Sequence, residues 1–249
     1  MICGLALILA STLVTAEELY KPTWESLSSY DAPEWFRDAK FGVYTHWGVY
    51  SVPAHGGPDY IRNLYEGSKT DNKGVYSYHT QKYGSLKEFG YKDFIPLFTA
   101  EHFDADEWAE LFARAGARFA GPVAEHHDGF CMYATDLTPW NAAQMGPRRD
   151  VVGELMDATR AAGLKFGVSS HRAYNWRYYT FAEGLDTIDP ANVGLYGPPH
   201  PEEEPASTAF IEDWFARTRE LVDRFDPDVL WFDFGWHHDE FAPYRPQVV

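Results

Sequence analysis

The sequence predicts an α/β fold, a TIM-like (β/α)8 barrel of which about the first four βα units are present. Three observations carry this. Short apolar strands alternate with amphipathic helices, the pattern of a parallel sheet with right-handed crossovers. The four strands are near-continuous apolar runs, as expected of strands buried on both faces. Each strand then ends in polar or ionisable residues, where α/β folds collect their function.

The first strand is expected over residues 41–46, entered from a short helical segment at 33–39. The following stretch, 51–98, is rich in Gly, Tyr, Lys and Asp and too long for a plain connection, which marks it as a functional excursion. Asp104-Ala105-Asp106-Glu107 reads as a capping box, and Trp108, Leu111, Phe112 and Ala115 follow at the spacing of one apolar helix face. A second strand over 119–124 ends at Glu125-His126-His127-Asp128. Its helix starts near Asp150, with Val151, Val152, Leu155, Met156 and Thr159 inward, and Gly163 stops it. The third strand, 164–169, ends at Ser170-His171. The next helix turns Phe210, Ile211, Trp214, Phe215, Leu221 and Val222 inward, until Asp226-Pro227-Asp228 breaks it. The fourth strand, 229–233, closes on Asp233. No glycine-rich phosphate fingerprint follows the first strand, which disfavours a nucleotide fold.

Composition narrows the function. Lys+Arg number 21 against 37 Asp+Glu, a formal charge of −16, so a phosphate backbone is repelled and nucleic acid is excluded as a partner. Nine Trp, sixteen Tyr and seventeen Phe supply flat walls on which a sugar's apolar face stacks. With only Cys3 and Cys131, no thiolate zinc cage is available. Residues 1–16 read as a signal peptide, the apolar run 2–16 being short for a membrane span and Val14-Thr15-Ala16 resembling a cleavage site. The expectation is an extracytoplasmic protein whose mature domain is 17–249, with no stable membrane span.

Asp233, late in an apolar strand, must lose water; a nucleophile or general base under a substrate is one reason, a structural cap another. His126 and His127 reach one pocket only where the chain turns, because adjacent strand residues face opposite ways. As metal ligands they would need partners, which His46, Asp233 and the run His237-His238-Asp239-Glu240 offer on paper. Amidohydrolase-like metal barrels carry His-x-His on the first strand, however, and this chain has His46-Trp47-Gly48. Neutral imidazoles that hydrogen-bond sugar hydroxyls are therefore the favoured reading, with no metal and no cofactor expected. The 237–240 run also reads simply as a solvated loop, as does Glu202-Glu203-Glu204.

Three segments together resemble the retaining α-L-fucosidases of glycoside hydrolase family 29: Trp35 through Pro53, His126-His127-Asp128-Gly129-Phe130, and Trp231-Phe232-Asp233, with Trp140-Asn141 following the second. The resemblance covers roughly residues 25–245. It implies the N-terminal half of a (β/α)8-like catalytic domain acting on α-L-fucosides of glycans through a covalent fucosyl-enzyme. Asp233 then corresponds to the nucleophile, His46, His126 and His127 to fucose contacts, and Trp231 to the pocket wall.

Three departures stand out. The acid/base Glu of that family comes well downstream of the nucleophile, beyond Val249 here, and Glu240 is not promoted in its place. Many members carry Glu-Trp-Tyr where this chain has Pro58-Asp59-Tyr60, ahead of Arg62-Asn63. The third strand often ends Tyr-Tyr-Ser, and here it reads Ser169-Ser170-His171. A lectin-like sugar binder without catalysis, and a metal-dependent hydrolase, are the competing readings. Half a barrel also leaves sheet edges and apolar helix faces open, so dimerisation or poor solubility is expected of 17–249.

Overall fold

The computed structural model describes residues 20–67 and 69–248. The expected signal peptide and Cys3 lie outside the described residues. Elements follow in the order α1 (Trp24–Leu27), α2 (Glu34–Ala39), β1 (Gly42–Thr45), α3 (Tyr60–Glu66), α4 (Val75–Tyr83), α5 (Ala105–Arg114), β2 (Phe119–Glu125) and α6 (Val151–Ala161). Then come β3 (Lys165–Ser170), α7 (Val193–Tyr196), α8 (Thr208–Phe225), β4 (Val229–Phe232) and α9 (Arg245–Val248). The strands form one parallel sheet in the order β1-β2-β3-β4, each sequential pair joined through helices.

Local chemistry sets the helix ends. Asp104 accepts the Glu107 amide at 2.9 Å, Asp150 that of Gly153 at 2.9 Å, and Ser207 that of Phe210 at 3.2 Å, each satisfying one orphan donor of a first turn. Gly163, at φ +76°, follows the end of α6, and Asp226, at φ +40°, caps α8 just before Pro227.

The expectation of strands buried on both faces holds for β2 and β3, not for β1 and β4. Tyr44 is 47% exposed and Trp231 58% exposed, because the edge strands of a four-stranded sheet lack a neighbour and the concave face is open. That face is a groove of about 500 Å³ lined by Phe36, Tyr44, Phe119, Val229, Trp231 and Asp233. The convex face packs Ala120, Ala124, Phe166 and Val168 into the main core with Val152 and Leu155 of α6.

Two helix faces also differ from the periodic reading. Leu111 of α5, Ala115 just past its end and Val222 of α8 are exposed, while Arg217 and Thr218 of α8 are buried. A 3.6-residue period finds apolar stripes, and it has no means of admitting an arginine whose partner lies on another element. The 51–98 excursion is not bare loop but holds α3, α4 and a run of 3₁₀ turns, packed as an aromatic cluster around Tyr60, His79, Phe89 and Phe94. The 237–240 run is likewise no free loop: Glu240 Oε1 accepts from Arg177 at 2.7 Å and from the Ala206 amide at 3.2 Å. Among the described residues, no helix is long and apolar enough to cross a membrane.

Candidate active site at the strand ends

The chain turns immediately after β2. Gly129 donates to the His126 carbonyl at 3.1 Å, and its φ of +82° with Leu195 O only 2.1 Å from where a Cβ would stand restricts the position to glycine. This turn, rather than strand alternation, brings the His126 and His127 rings to one side with centroids 4.5 Å apart.

Four of the five expected site residues surround His171, which the sequence marks as a polar strand end and a departure from the family pattern and not as a site residue. Its ring lies 5.1 Å from that of His46, 5.3 Å from His126 and 5.0 Å from His127. Its Nδ1 stands 3.5 Å from Asp233 Oδ2, and His127 Nε2 stands 3.4 Å from the same oxygen. Trp231 sits two residues before Asp233 on the concave side, lining the groove rather than the imidazole cluster.

Around this centre the bonds are specific. His127 Nδ1 donates to the His171 carbonyl at 3.0 Å, which fixes its ring. His171 Nε2 is engaged by the Tyr44 hydroxyl at 2.5 Å and by Ser169 Oγ at 3.2 Å, while Tyr44 and Ser169 bond each other at 2.7 Å. Buried and without partners are His126 Nδ1 and His171 Nδ1.

The environment sets the charges. Burial, and then the neighbouring His127, hold His126 and His171 far below the ordinary imidazole range, so both rings are neutral at pH 7. Asp233 is held below the usual carboxylate range by His127 first and by the His171 and His46 rings, against the burial that raises it. Burial pushes Tyr44 up to about 12 and Asp128, which accepts from Tyr91 at 2.5 Å, up to about 7. The centre thus presents an ionised carboxylate beside the neutral rings of His126 and His171.

One residue back along the chain, the polar groups are of another kind. Glu125 Oε1 takes Arg217 Nη1 at 3.0 Å and Arg172 Nη1 at 3.6 Å, and Asp213 Oδ2 takes both arginines at 3.0 Å. The free Cys131 thiol lies buried against Arg217 Nη1 at 3.5 Å. Arg172 also grips Asn175, whose amide holds the His127 carbonyl at 2.8 Å, so the network braces the turn. The loop where this chain reads Pro58-Asp59-Tyr60 lies over the site: Tyr178 donates to Pro58 O at 3.0 Å, and Arg62 to Tyr174, which packs edge to face against His127.

The amino-acid sequence matches the model of the α-L-fucosidase family across residues 7–247. The chain belongs to the α-L-fucosidase family. The tissue α-L-fucosidase of Rattus norvegicus is 35% identical over 237 residues, covering 94% of this chain and 47% of its own length. The plasma α-L-fucosidase of Homo sapiens is 34% identical over 216 residues, covering 86% and 42%. Among solved structures, the α-fucosidase of Thermotoga maritima in complex with fucose superposes with a TM-score of 0.75 at 35% identity, covering 92% of this chain and 52% of that one. The chain spans about half the length of the relatives it matches. As a fucosidase-family chain it has an α/β fold with a parallel sheet, similar to the catalytic domain of the Thermotoga enzyme.

Proposed function

We propose that this chain carries the nucleophile and sugar-gripping half of a retaining α-L-fucosidase, with a TIM-like (β/α)8 barrel as the complete catalytic domain and terminal α-L-fucosides of glycans as substrates. The observation that carries the reading is Asp233: a carboxylate at a strand end, kept ionised by His127 and His171 and open on one side to the groove. Such a group attacks the anomeric carbon, the glycosidic C–O bond breaks, and water later releases the sugar from the Asp233 ester. His46, His126 and His127 serve as hydroxyl partners, and the exposed indole of Trp231 as an apolar wall for the sugar's methyl side.

Retention needs a second carboxyl about 5–5.5 Å from the nucleophile. Glu240 does not fill that role, because Arg177 and the Ala206 amide already hold its oxygen. The reading places the acid/base outside the described residues, and it places the protein outside the cytoplasm, exported by residues 1–16.

Trapping with a 2-deoxy-2-fluoro-fucosyl fluoride tests this reading. The expected result is a single covalent adduct on the peptide containing Asp233. Fucose binding without an adduct in a folded sample would instead establish a sugar-binding protein. Neither binding nor adduct would remove the reading.

A further inference from the structure

The two edges that meet at Asp233 in the imidazole–carboxylate triangle are long for hydrogen bonds and match the spacing of donors around a metal. His127 Nε2 to Asp233 Oδ2 is 3.4 Å and His171 Nδ1 to Asp233 Oδ2 is 3.5 Å, beyond the roughly 2.7–3.2 Å of a good N–H···O bond. Donors on a tetrahedral zinc site, with metal–ligand bonds of about 2.0–2.2 Å, stand about 3.3–3.5 Å apart. All three donor atoms lie within 4.8 Å of one another.

The far sides of both rings are already occupied as a metal site requires. His127 gives its Nδ1 hydrogen to the His171 carbonyl, which leaves Nε2 as the atom aimed at Asp233. His171 has Nε2 engaged by Tyr44 and Ser169, and its buried Nδ1 has no hydrogen-bond partner. Anchoring one ring nitrogen to a carbonyl or hydroxyl orients the other toward a cation, the usual arrangement behind metal-bound histidine. Two imidazoles and one carboxylate select a zinc-class ion over magnesium or calcium, which take oxygen donors.

We propose that His127 Nε2, His171 Nδ1 and Asp233 Oδ2 form a binding site for a zinc-class divalent cation, with a fourth coordination position open to the groove. The inference rests on ring geometry and stands whether or not the sugar reading holds. Where both hold, the cation occupies the carboxylate that attacks the sugar, so the metal acts as an inhibitor competing with the fucoside and not as a cofactor.

Titration of the metal-free full chain with Co2+, followed by the visible band of tetrahedral cobalt, tests the site without any activity assay. One equivalent is expected to produce the band, and Zn2+ to displace it. His171→Ser and Asp233→Asn should each weaken binding by at least about 100-fold, more than the roughly 10- to 100-fold that loss of an outer-shell partner costs. Asp233 is partly exposed, so Asp233→Asn keeps the test valid if the His171 variant misfolds. A His237→Asn/His238→Asn double variant, which removes the stacked pair outside the triangle, should bind as the parent does. No tetrahedral band, binding lost in the double variant, or binding that survives Asp233→Asn and vanishes with His46→Asn would overturn the assignment, the last pointing to the alternative grouping of His46, His126 and His171.

Discussion

Glu125 and His126 are neighbours in sequence and both buried, yet they belong to opposite kinds of polar cluster. Behind the turn, Glu125, Asp213, Arg172 and Arg217 neutralise one another through contacts of 3.0–3.6 Å. In front of it, His126, His127, His171 and Asp233 crowd together with two ring nitrogens left without partners. Arg172 Nε is also left without a partner, so the contrast is one of charge: opposite charges paired on each other fix a structure, whereas buried ring nitrogens facing a carboxylate leave an interaction for an incoming group. The difference separates the scaffold from the site within one residue step.

The sharpest way to break the comparison is Arg217→Met. It leaves Glu125 buried with only the longer Arg172 contact, and a loss of about 3–5 kcal/mol is expected. Urea denaturation reads this; a loss under about 1 kcal/mol would mean that the network is not what holds the turn.

Gly129→Ala probes the hinge between the clusters. The methyl would meet Leu195 O in a backbone conformation that L residues avoid, for an expected loss of about 3 kcal/mol in the same measurement.

On the other side, Asp233→Asn should abolish covalent trapping while shifting the unfolding free energy by no more than about 1 kcal/mol, since the side chain is partly exposed. A large destabilisation would recast Asp233 as part of the scaffold.

The gentlest test is pH. Arg172 and Arg217 hold Asp213 below the usual carboxylate range despite the burial that raises it. The folded pKa is lower than the unfolded one of about 3.9, so its contribution is complete above that pH and fades as pH falls through the folded value. Stability of the parent should decline across this acid window, and less steeply in Asp213→Asn. Equal slopes would assign the decline to other carboxylates.

The catalytic-type residues were legible because position announces them. His46, His126, His127 and Asp233 all follow apolar runs, and strand ends are where α/β folds expose chemistry. His171 occupies the same kind of position and is a polar strand end in the sequence too, but its centrality depends on Tyr44 and Ser169 reaching it from two strands. The scaffold was harder to read. Arg217 sits among Trp214, Thr218 and Leu221 on the buried face of α8, and its admission there rests on Glu125, far away in the chain. Leu111 and Val222 show the converse: apolar residues in helical register still face water when no element packs over them. Periodicity encodes which residues share a side, and pairing across elements decides which side is inside.

Cys131 turns the charge-paired network into something that keeps time. Its thiol is wholly enclosed against Arg217, and burial raises its pKa well above the ordinary value, so an alkylating reagent reaches a reactive thiolate only when the core around Glu125 opens. The rate at which the peptide bearing Cys131 gains mass in such a reagent is therefore a count of those openings, and the chain carries its own stopwatch for how often its scaffold breathes.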